Sequence, residues 1–225
     1  TQCTKLTFTR PSDELPPFYE SSSWPYGPRF VGADWVVINS QCGRLVFAGF
    51  GSDFEEFVLS TDDANGFDVT PDSTGLVIAL DEDIYEFRFT TFDWRFVTYY
   101  SGGFAFFPRL TADGARIIYG TQDLIPEYDV GLRSATYSGS ADTLLEVGDF
   151  VYSPTADGSR VVYWDASGFG QIKSVPVTGG PPTVLFSAVS SGLDDVQLTP
   201  DTAHVLYRLQ DGSLYSVPAG GGAAV

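Results

Sequence analysis

The sequence predicts an all-β protein, and within that class a β-propeller of about five small four-stranded blades. A polar turn that runs into three consecutive apolar residues recurs along the chain. No amphipathic run of about ten residues with helical spacing occurs, and 24 glycines and 14 prolines favour turns. Intervals of 31, 41, 44 and 44 residues separate the residues that close the triplets: Phe47, Ile78, Tyr119, Tyr163 and Tyr207.

The first 28 residues are predicted to form a closing strand and a proline-rich loop. Residues 5–10 alternate between polar and apolar β-formers, which indicates a strand. Five prolines between Pro11 and Pro28 then block both a helix and a central strand. Residues 29–225 carry the propeller repeats, so we expect a single domain overall.

Each repeat opens with a turn of the pattern Thr-Pro/Ala-Asp, followed in two copies by glycine. Proline presets φ, the aspartate side chain accepts hydrogen bonds from backbone N–H groups, and glycine accepts positive φ. The apolar triplet after the turn has no polar face, as expected for a strand that neighbouring blades cover on both sides. A structural role in the turn is therefore assigned to four aspartates: Asp72, Asp113, Asp157 and Asp201.

The two ends of the repeat array are predicted to be irregular. The first interval is too short for four full strands, so the outer strand of the first blade should be missing or very short. In the last two repeats, Ser-Val-Pro and Gly-Gly lead from the third strand toward an outer strand, but the final repeat stops there. Because an open edge invites aggregation, we expect the N-terminal strand, residues 5–10, to complete the last blade and close the ring.

The repeat resembles the TolB-like propeller repeats that are common in exported bacterial proteins. The pattern Thr-Pro/Ala-Asp-Gly-x-Arg before three apolar residues, and Leu-Tyr-Ser-Val-Pro before Gly-Gly, carry the resemblance over about residues 30–222. It is strongest in the last two repeats and weakest in the first, where Ser40 and Gln41 replace Pro-Asp. The resemblance implies a secreted, periplasmic or cell-surface bacterial protein that presents a binding surface, in some members beside a hydrolase domain. It implies no catalytic residues.

Charge and hydropathy limit the partners. The formal net charge is −17, so the surface repels phosphate backbones and we expect no nucleic-acid binding. Apolar runs are too short to cross a bilayer as a helix, so we expect no membrane insertion. Methionine is absent, which suggests a processed chain or an excised fragment.

Motifs for catalysis are missing, and we expect the protein not to be an enzyme. The one histidine, His204, occupies the repeat position that holds Arg116 and Arg160 elsewhere. A Ser-His-Asp triad would need this histidine, and neither a Gly-x-Ser-x-Gly elbow nor a phosphate-binding glycine loop is present. The alternative is a carbohydrate-active or other hydrolytic enzyme with an acidic site in the propeller channel, or the propeller fragment of a larger enzyme.

Clustered carboxylates provide weak candidates for a cation site. Hard oxygen ligands in loops can bind Ca²⁺, but none of the clusters matches the twelve-residue calcium loop with its central glycine and closing glutamate. Solvated turn acidity explains them as well, so we expect no cofactor, with calcium as the alternative. The candidates are Asp62, Asp63, Asp81 and Asp83.

Three aromatic residues are candidates for binding a partner. Trp24 and Tyr26 lie in the proline-rich loop, and Trp164 ends a strand beside a glycine-rich stretch. Tryptophan and tyrosine on a propeller rim can anchor a protein. The remaining tryptophans, Trp35 and Trp94, are assigned to blade packing. The function expected is thus a non-catalytic binding or structural module that contacts proteins, with self-assembly as a further expectation because its short edges are unpaired.

The two cysteines generate the first testable prediction. An even cysteine count in an exported protein permits one disulfide, and Cys3–Cys42 would tie the closing strand to the first blade. The alternative is two separate buried thiols. Peptide mapping without reductant is expected to recover a linked Cys3–Cys42 peptide pair, and recovery of two free thiols would exclude the bond.

Overall fold

A computed structural model of the chain has nineteen strands in five antiparallel sheets, and no helix among the residues that it describes. Contacts divide the chain into two compact units, Thr1–Ala64 and Asn65–Val225. Consecutive strands pair within each sheet, which confirms the predicted all-β class and the propeller blades. The described residues are 29–31, 35–39, 45–49, 56–58, 64–80, 82–100, 103–123, 130–148, 150–165, 170–187, 193–199 and 201–224.

The first blade lies in the first unit, and its four strands follow chain order. They are β1 (Arg29–Val31), β2 (Trp35–Asn39), β3 (Leu45–Gly49) and β4 (Glu56–Val58). Val37 is buried in β2 and pairs with Phe47 of β3. The outer strand β4 has three residues, in agreement with the very short outer strand expected for this blade.

The second and third blades are complete four-stranded sheets. The second contains β5 (Ala64–Val69), β6 (Gly75–Leu80), β7 (Asp83–Arg88) and β8 (Asp93–Tyr99). The third contains β9 (Gly103–Leu110), β10 (Arg116–Asp123), β11 (Val130–Thr136) and β12 (Thr143–Val147). In both, the second strand is the apolar triplet of the repeat and the fourth strand ends the sheet.

The fourth blade is complete, and the fifth has three described strands. The fourth contains β13 (Phe150–Pro154), β14 (Arg160–Asp165), β15 (Gln171–Pro176) and β16 (Thr183–Ser187). The fifth contains β17 (Leu193–Leu198), β18 (His204–Leu209) and β19 (Leu214–Pro218). The strand predicted at residues 5–10, which would complete this blade, lies outside the described residues.

Within the second unit the core lies between successive blades, because neighbouring residues of each second strand point to opposite faces. In β10, Ile117 packs against Val77 of the second blade, while Ile118 packs against Val161 of the fourth. Val162 of the fourth blade in turn packs on the fifth. All these side chains are fully buried. Each contributes about 1.5–3 kcal/mol through burial, so the blades stabilise one another rather than folding alone.

In the second to fifth blades, a threonine organises the turn before the second strand. In the fourth blade the Thr155 hydroxyl donates to Asp157 Oδ1 at 2.6 Å and accepts from the Arg160 backbone N–H at 3.1 Å. Asp157 also accepts from the Ser159 N–H at 3.0 Å. These bonds, first that of Thr155, hold the pKa of Asp157 below its usual range. The same 2.6 Å bond recurs in the other turns: Thr70–Asp72, Thr111–Asp113 and Thr199–Asp201.

The residue after the turn aspartate has the left-handed conformation in all four turns, but it is glycine in only two of them. Gly114 and Gly158 have φ of 67° and 65°. Ser73 and Thr202 occupy the equivalent position with φ of 56° and 51°. The threonine–aspartate pair therefore maintains the turn in copies that lack glycine, at a conformational cost of about 1–3 kcal/mol.

Substitution of Thr155 by valine tests the role of the turn threonine. T155V keeps the shape of the buried side chain but leaves the Arg160 N–H without its acceptor and removes one of the two hydrogen bonds that Asp157 Oδ1 accepts. We expect a loss of about 1–3 kcal/mol in the free energy of unfolding by urea titration. The control is T178V, because Thr178 is exposed in a later turn, and it should change stability by less than about 0.5 kcal/mol. Equal effects of T155V and T178V would contradict the role of Thr155.

Candidate protein-binding surface

The outer strand of the second blade exposes a cluster of aromatic side chains. Phe92, Trp94 and Phe96 are 66%, 44% and 54% exposed. Large aromatic side chains that cluster at a surface mark protein-binding sites more often than isolated exposed apolar residues do. We refer to residues 92–96 as the aromatic edge.

The register of the β7–β8 hairpin places the aromatic side chains on one face. Phe87 pairs with Trp94, and Tyr85 pairs with Phe96, so all four lie on the same side of the sheet. The ring centroids are 5.1 Å apart for Phe87–Trp94 and 5.9 Å for Tyr85–Phe96. Phe87 is 2% exposed and anchors the cluster in the blade. The exposed rings are therefore held by packed neighbours and lose little conformational freedom when a partner binds.

Phe92 has an unusual backbone conformation at the start of the aromatic edge. Its φ is 56°, in the left-handed region that a bulky side chain seldom adopts. Its N–H donates to the Arg88 carbonyl at 2.9 Å, which closes the hairpin loop. Glycine or asparagine would take this conformation with less strain. A strained, exposed aromatic residue is typical of a functional position.

The opposite face of the hairpin holds a buried carboxylate between two arginines. The Glu86 side chain is 1% exposed. Arg95 Nε lies 2.5 Å and Arg88 Nη2 2.9 Å from its oxygens. Arg95 also stacks over the Tyr137 ring at 4.7 Å from the centroid. Burial, together with the neighbouring Glu86, raises the pKa of Tyr137. Since breaking a buried ion pair strongly destabilises a protein, this network holds β8 in place.

Comparison of the blades shows why the second one carries this network. Its sisters place Arg116 and Arg160 at the start of the second strand, where each donates to a buried serine, Ser134 or Ser174. In the second blade the equivalent of these arginines is Gly75, and Glu86 occupies the serine position. A Cβ at position 75 would lie 2.5 Å from the Phe87 carbonyl oxygen. The cations that pair with the inner residue come instead from β7 and β8.

A depression of about 430 Å³ between the third and fourth blades is a second candidate site. Tyr163 donates to Glu146 Oε2 at 2.8 Å, and Lys173 Nζ lies 3.5 Å from the same oxygen. Burial, then the bond to Glu146, raises the pKa of Tyr163, so its phenol remains a donor and is unsuited to act as a base. Its lining residues are Glu146, Val147, Gly148, Phe150, Tyr163, Gly170, Gln171 and Lys173.

The polar arrangement in this depression recurs in the third blade. Tyr119 there donates to Asp142 at 3.0 Å, and Arg133 pairs with the same carboxylate at 2.8 Å. Tyr119 and Arg133 face each other across strands, as Tyr163 and Lys173 do. The phenol and the cation occupy equivalent repeat positions, whereas the carboxylate does not: Asp142 follows Tyr119 in the same blade, and Glu146 precedes Tyr163 in the blade before it. In both blades a carboxylate that pairs with a cation satisfies the buried tyrosine. The repetition favours a structural role over a catalytic one.

The aromatic residues selected from sequence lie elsewhere. Trp164 is partly buried and packs against the core between the fourth and fifth blades. Trp24 and Tyr26 lie outside the described residues, as do Cys3 and Cys42. Sequence reasoning assigned Trp94 to packing and left Phe92 and Phe96 unmentioned. The alternation of aromatic and charged residues in 92–96 would have indicated them, because it is unusual for a strand covered on both faces.

The candidate cation ligands are not brought together among the described residues. Asp83 accepts a hydrogen bond from the Tyr85 hydroxyl at 2.8 Å. Asp62, Asp63 and Asp81 lie outside the described residues. Within the part of the chain that the structure describes, no group of three or more acidic, histidine or cysteine side chains is suited to hold a metal ion. The same part contains no helix of the length and apolarity needed to cross a membrane.

Comparison with known proteins identifies the fold. No protein-family model matches the chain, and no curated protein matches it in sequence. The structure of TolB from Acinetobacter baumannii matches with a TM-score of 0.58 and 16% identity, over 85% of this chain and 51% of the TolB chain. This chain has a TolB-like propeller fold. It spans about half the length of that TolB chain.

Propellers from other functional settings match the TolB-like chain equally well. A nidogen/laminin complex structure matches with a TM-score of 0.57 and 10% identity, over 82% of this chain and 74% of the other. A prolyl endopeptidase matches with a TM-score of 0.63 and 13% identity, over 88% of this chain and 34% of the enzyme. Identities this low show a shared fold alone.

Stability measurements separate the exposed rings from the ring that anchors them. F92N removes an exposed ring and introduces a residue that tolerates positive φ, so we expect the free energy of unfolding to stay unchanged or to rise. F87A empties a buried position and should lower it by about 3–5 kcal/mol. Urea titration monitored by far-ultraviolet circular dichroism measures both. A loss in F92N as large as that in F87A would place Phe92 in the core and contradict its assignment to a binding surface.

Proposed function

We propose that this TolB-like propeller is a non-catalytic protein-binding module of an exported bacterial protein, and that the aromatic edge is its binding surface. The carrying observation is the exposure of Phe92, Trp94 and Phe96 on one edge strand. Rings of this kind supply most of the binding energy in protein interfaces because they bury a large apolar area at a small entropic cost.

Three further observations support the proposal. The rings stand on a rigid base, since Phe87 and the Glu86–Arg95 ion pair hold both strands of the hairpin. The net charge of −17 disfavours nucleic acid as a ligand. A propeller of similar fold occurs in a structure of a nidogen/laminin complex, and the TolB match is to a bacterial protein. Export is proposed from the TolB-like repeat pattern.

A second candidate function is the propeller part of a hydrolase. The match to a prolyl endopeptidase covers 34% of that chain, which leaves room for a separate catalytic domain. The depression at Glu146 and Lys173 would then be a substrate contact rather than a catalytic centre, because its tyrosine and carboxylate already satisfy each other. The exposure of Phe92, Trp94 and Phe96 favours the binding module.

A partner-independent selection tests protein binding at the aromatic edge. A phage-displayed peptide library is panned on the immobilised chain, with depletion on the W94S/F96S double variant. We expect enriched peptides whose dissociation constant rises about tenfold or more in W94S or F96S, the effect typical of interface aromatics. The matched control is L214S, because Leu214 is 69% exposed in the fifth blade, and it should leave binding unchanged.

Two results would count against the proposed function. Peptides that bind wild type, W94S and F96S equally would place binding elsewhere on the molecule. Turnover of a glycan or peptide panel by the purified chain would favour a hydrolytic function. We expect no turnover.

A further inference from the structure

The aromatic edge is complementary to itself in the antiparallel direction. Residues 92–96 read Phe-Asp-Trp-Arg-Phe, with a ring at the centre, a ring at each end, and charges of opposite sign between them. All five side chains are exposed, whereas Val97 and Thr98 directly after them are buried. β8 is the terminal strand of its sheet, and such an edge offers backbone donors and acceptors to another strand.

We propose that two copies of the chain pair through this edge, with β8 antiparallel to β8 of the second copy and a two-fold axis at Trp94. The inference rests on the proposed function, since it names a second copy as the partner of the same surface. In this register Trp94 faces its own counterpart and Phe92 faces Phe96 of the second copy. Asp93 then faces Arg95 of the second copy, and each of these contacts except the central one occurs twice.

The pairing keeps aromatic and charged residues on separate faces. Side chains of alternate residues point to opposite sides of a strand, so Trp94 and Phe96 share one face of β8 and Asp93 and Arg95 the other. Phe92 lies in the turn just before β8, and its ring is on the Trp94 face, since its centroid is 6.1 Å from that of Phe87. A two-fold axis perpendicular to the sheet places like faces together. The rings of both copies therefore form one continuous apolar row, of the kind that stabilises cross-strand pairs.

The charges favour this pairing instead of blocking it. Many edge strands avoid self-association because they carry charged side chains that would repel each other, or would be buried without a partner, when two edges pair. Here the Arg95 side chain remains 45% exposed although its Nε is bonded to Glu86. Asp93 of the second copy would approach it from the open side. The net charge of −17 opposes association at long range, but at about 0.15 M salt the screening length is roughly 8 Å.

Other described outer strands do not have this symmetry. In β12 a two-fold axis at Leu145 would place Glu146 opposite the apolar Leu144. β16 has no charged residue and exposes mainly Val184. Among the outer strands whose side chains the structure describes, only β8 combines three exposed rings with a complementary pair of charges.

Molecular mass in solution is the first test. Sedimentation equilibrium of the full chain at about 0.15 M salt is expected to show reversible dimers of twice the 24.4 kDa chain mass. D93R places arginine against arginine twice across the axis, and we expect the dimer dissociation constant to rise at least about tenfold. F92N, which should remain folded, is expected to weaken the dimer similarly. The control D195R makes the same charge change at an exposed aspartate of β17 and should not weaken the dimer.

Disulfide formation then reads out the register. Residue 94 faces itself across the axis at a Cα separation of about 4.5–5.5 Å, within disulfide range. W94C should therefore form an intermolecular bond on mild oxidation, located by peptide mapping at position 94 of both copies. In F96C the two cysteines would be four residues out of register, roughly 14 Å apart along the strands, and should not link.

The outcomes distinguish this inference from the proposed function. A chain that is monomeric at all concentrations yet binds selected peptides through Trp94 overturns the dimer and leaves the binding surface intact. A dimer that F92N and D93R do not weaken, without a 94–94 bond, places self-association elsewhere and also overturns the inference. A wild-type chain that neither dimerises nor binds selected peptides overturns the inference and the proposed function together.

Discussion

The apolar second strand of each blade is the constraint on which the rest of the structure depends. Its residues alternate between the two faces of the sheet, so Ile117 and Ile118 need different neighbours. A blade cannot bury both faces alone, and the third and fourth blades are therefore each stabilised by the two beside them. Polar side chains are excluded from these positions, and the polar groups of the protein are concentrated in turns, in the third strands and on the outer strands.

The polar contacts that do occur inside the blades follow the repeat. The Thr–Asp pair organises the turns, and Arg116 and Arg160 reach back to buried serines on the third strand. Tyr119 and Tyr163 each find a carboxylate partnered by a cation. Because these groups form hydrogen bonds and ion pairs with one another, few polar groups in the described interior are available to bind a ligand. We therefore expect partners to bind at the edges of the blades, where the repeat contacts are incomplete.

The second blade departs from its sisters in a coordinated way. Loss of the turn arginine at Gly75 accompanies a buried glutamate at position 86 and arginines on β7 and β8. One consequence is that β8 carries a charged face toward Glu86 and an aromatic face toward solvent. In this blade Glu86 replaces the buried serine, and its partner Arg95 lies on the outer strand. The outer strand therefore has charged residues between its aromatic rings. This blade, whose polar contacts differ from those of its sisters, is the one that we propose to bind a partner.

Much of the architecture could be read from the sequence, because turns and strands are set by local residues. The Thr-Pro/Ala-Asp turn, the apolar triplet and the period of about 44 residues predicted the blades, and the short first interval predicted the short β4. Whether Trp94 or Trp164 is exposed could not be predicted, since exposure depends on which blade covers each face and on where a strand stops being covered. Trp164 is packed by the fifth blade, whereas Phe92, Trp94 and Phe96 extend beyond their neighbours. The hydrogen bonds of the turn threonine and the ion pair between Glu86 and Arg95 were also found only in the tertiary structure. The sequence pattern does not specify which of these atoms come within hydrogen-bonding distance.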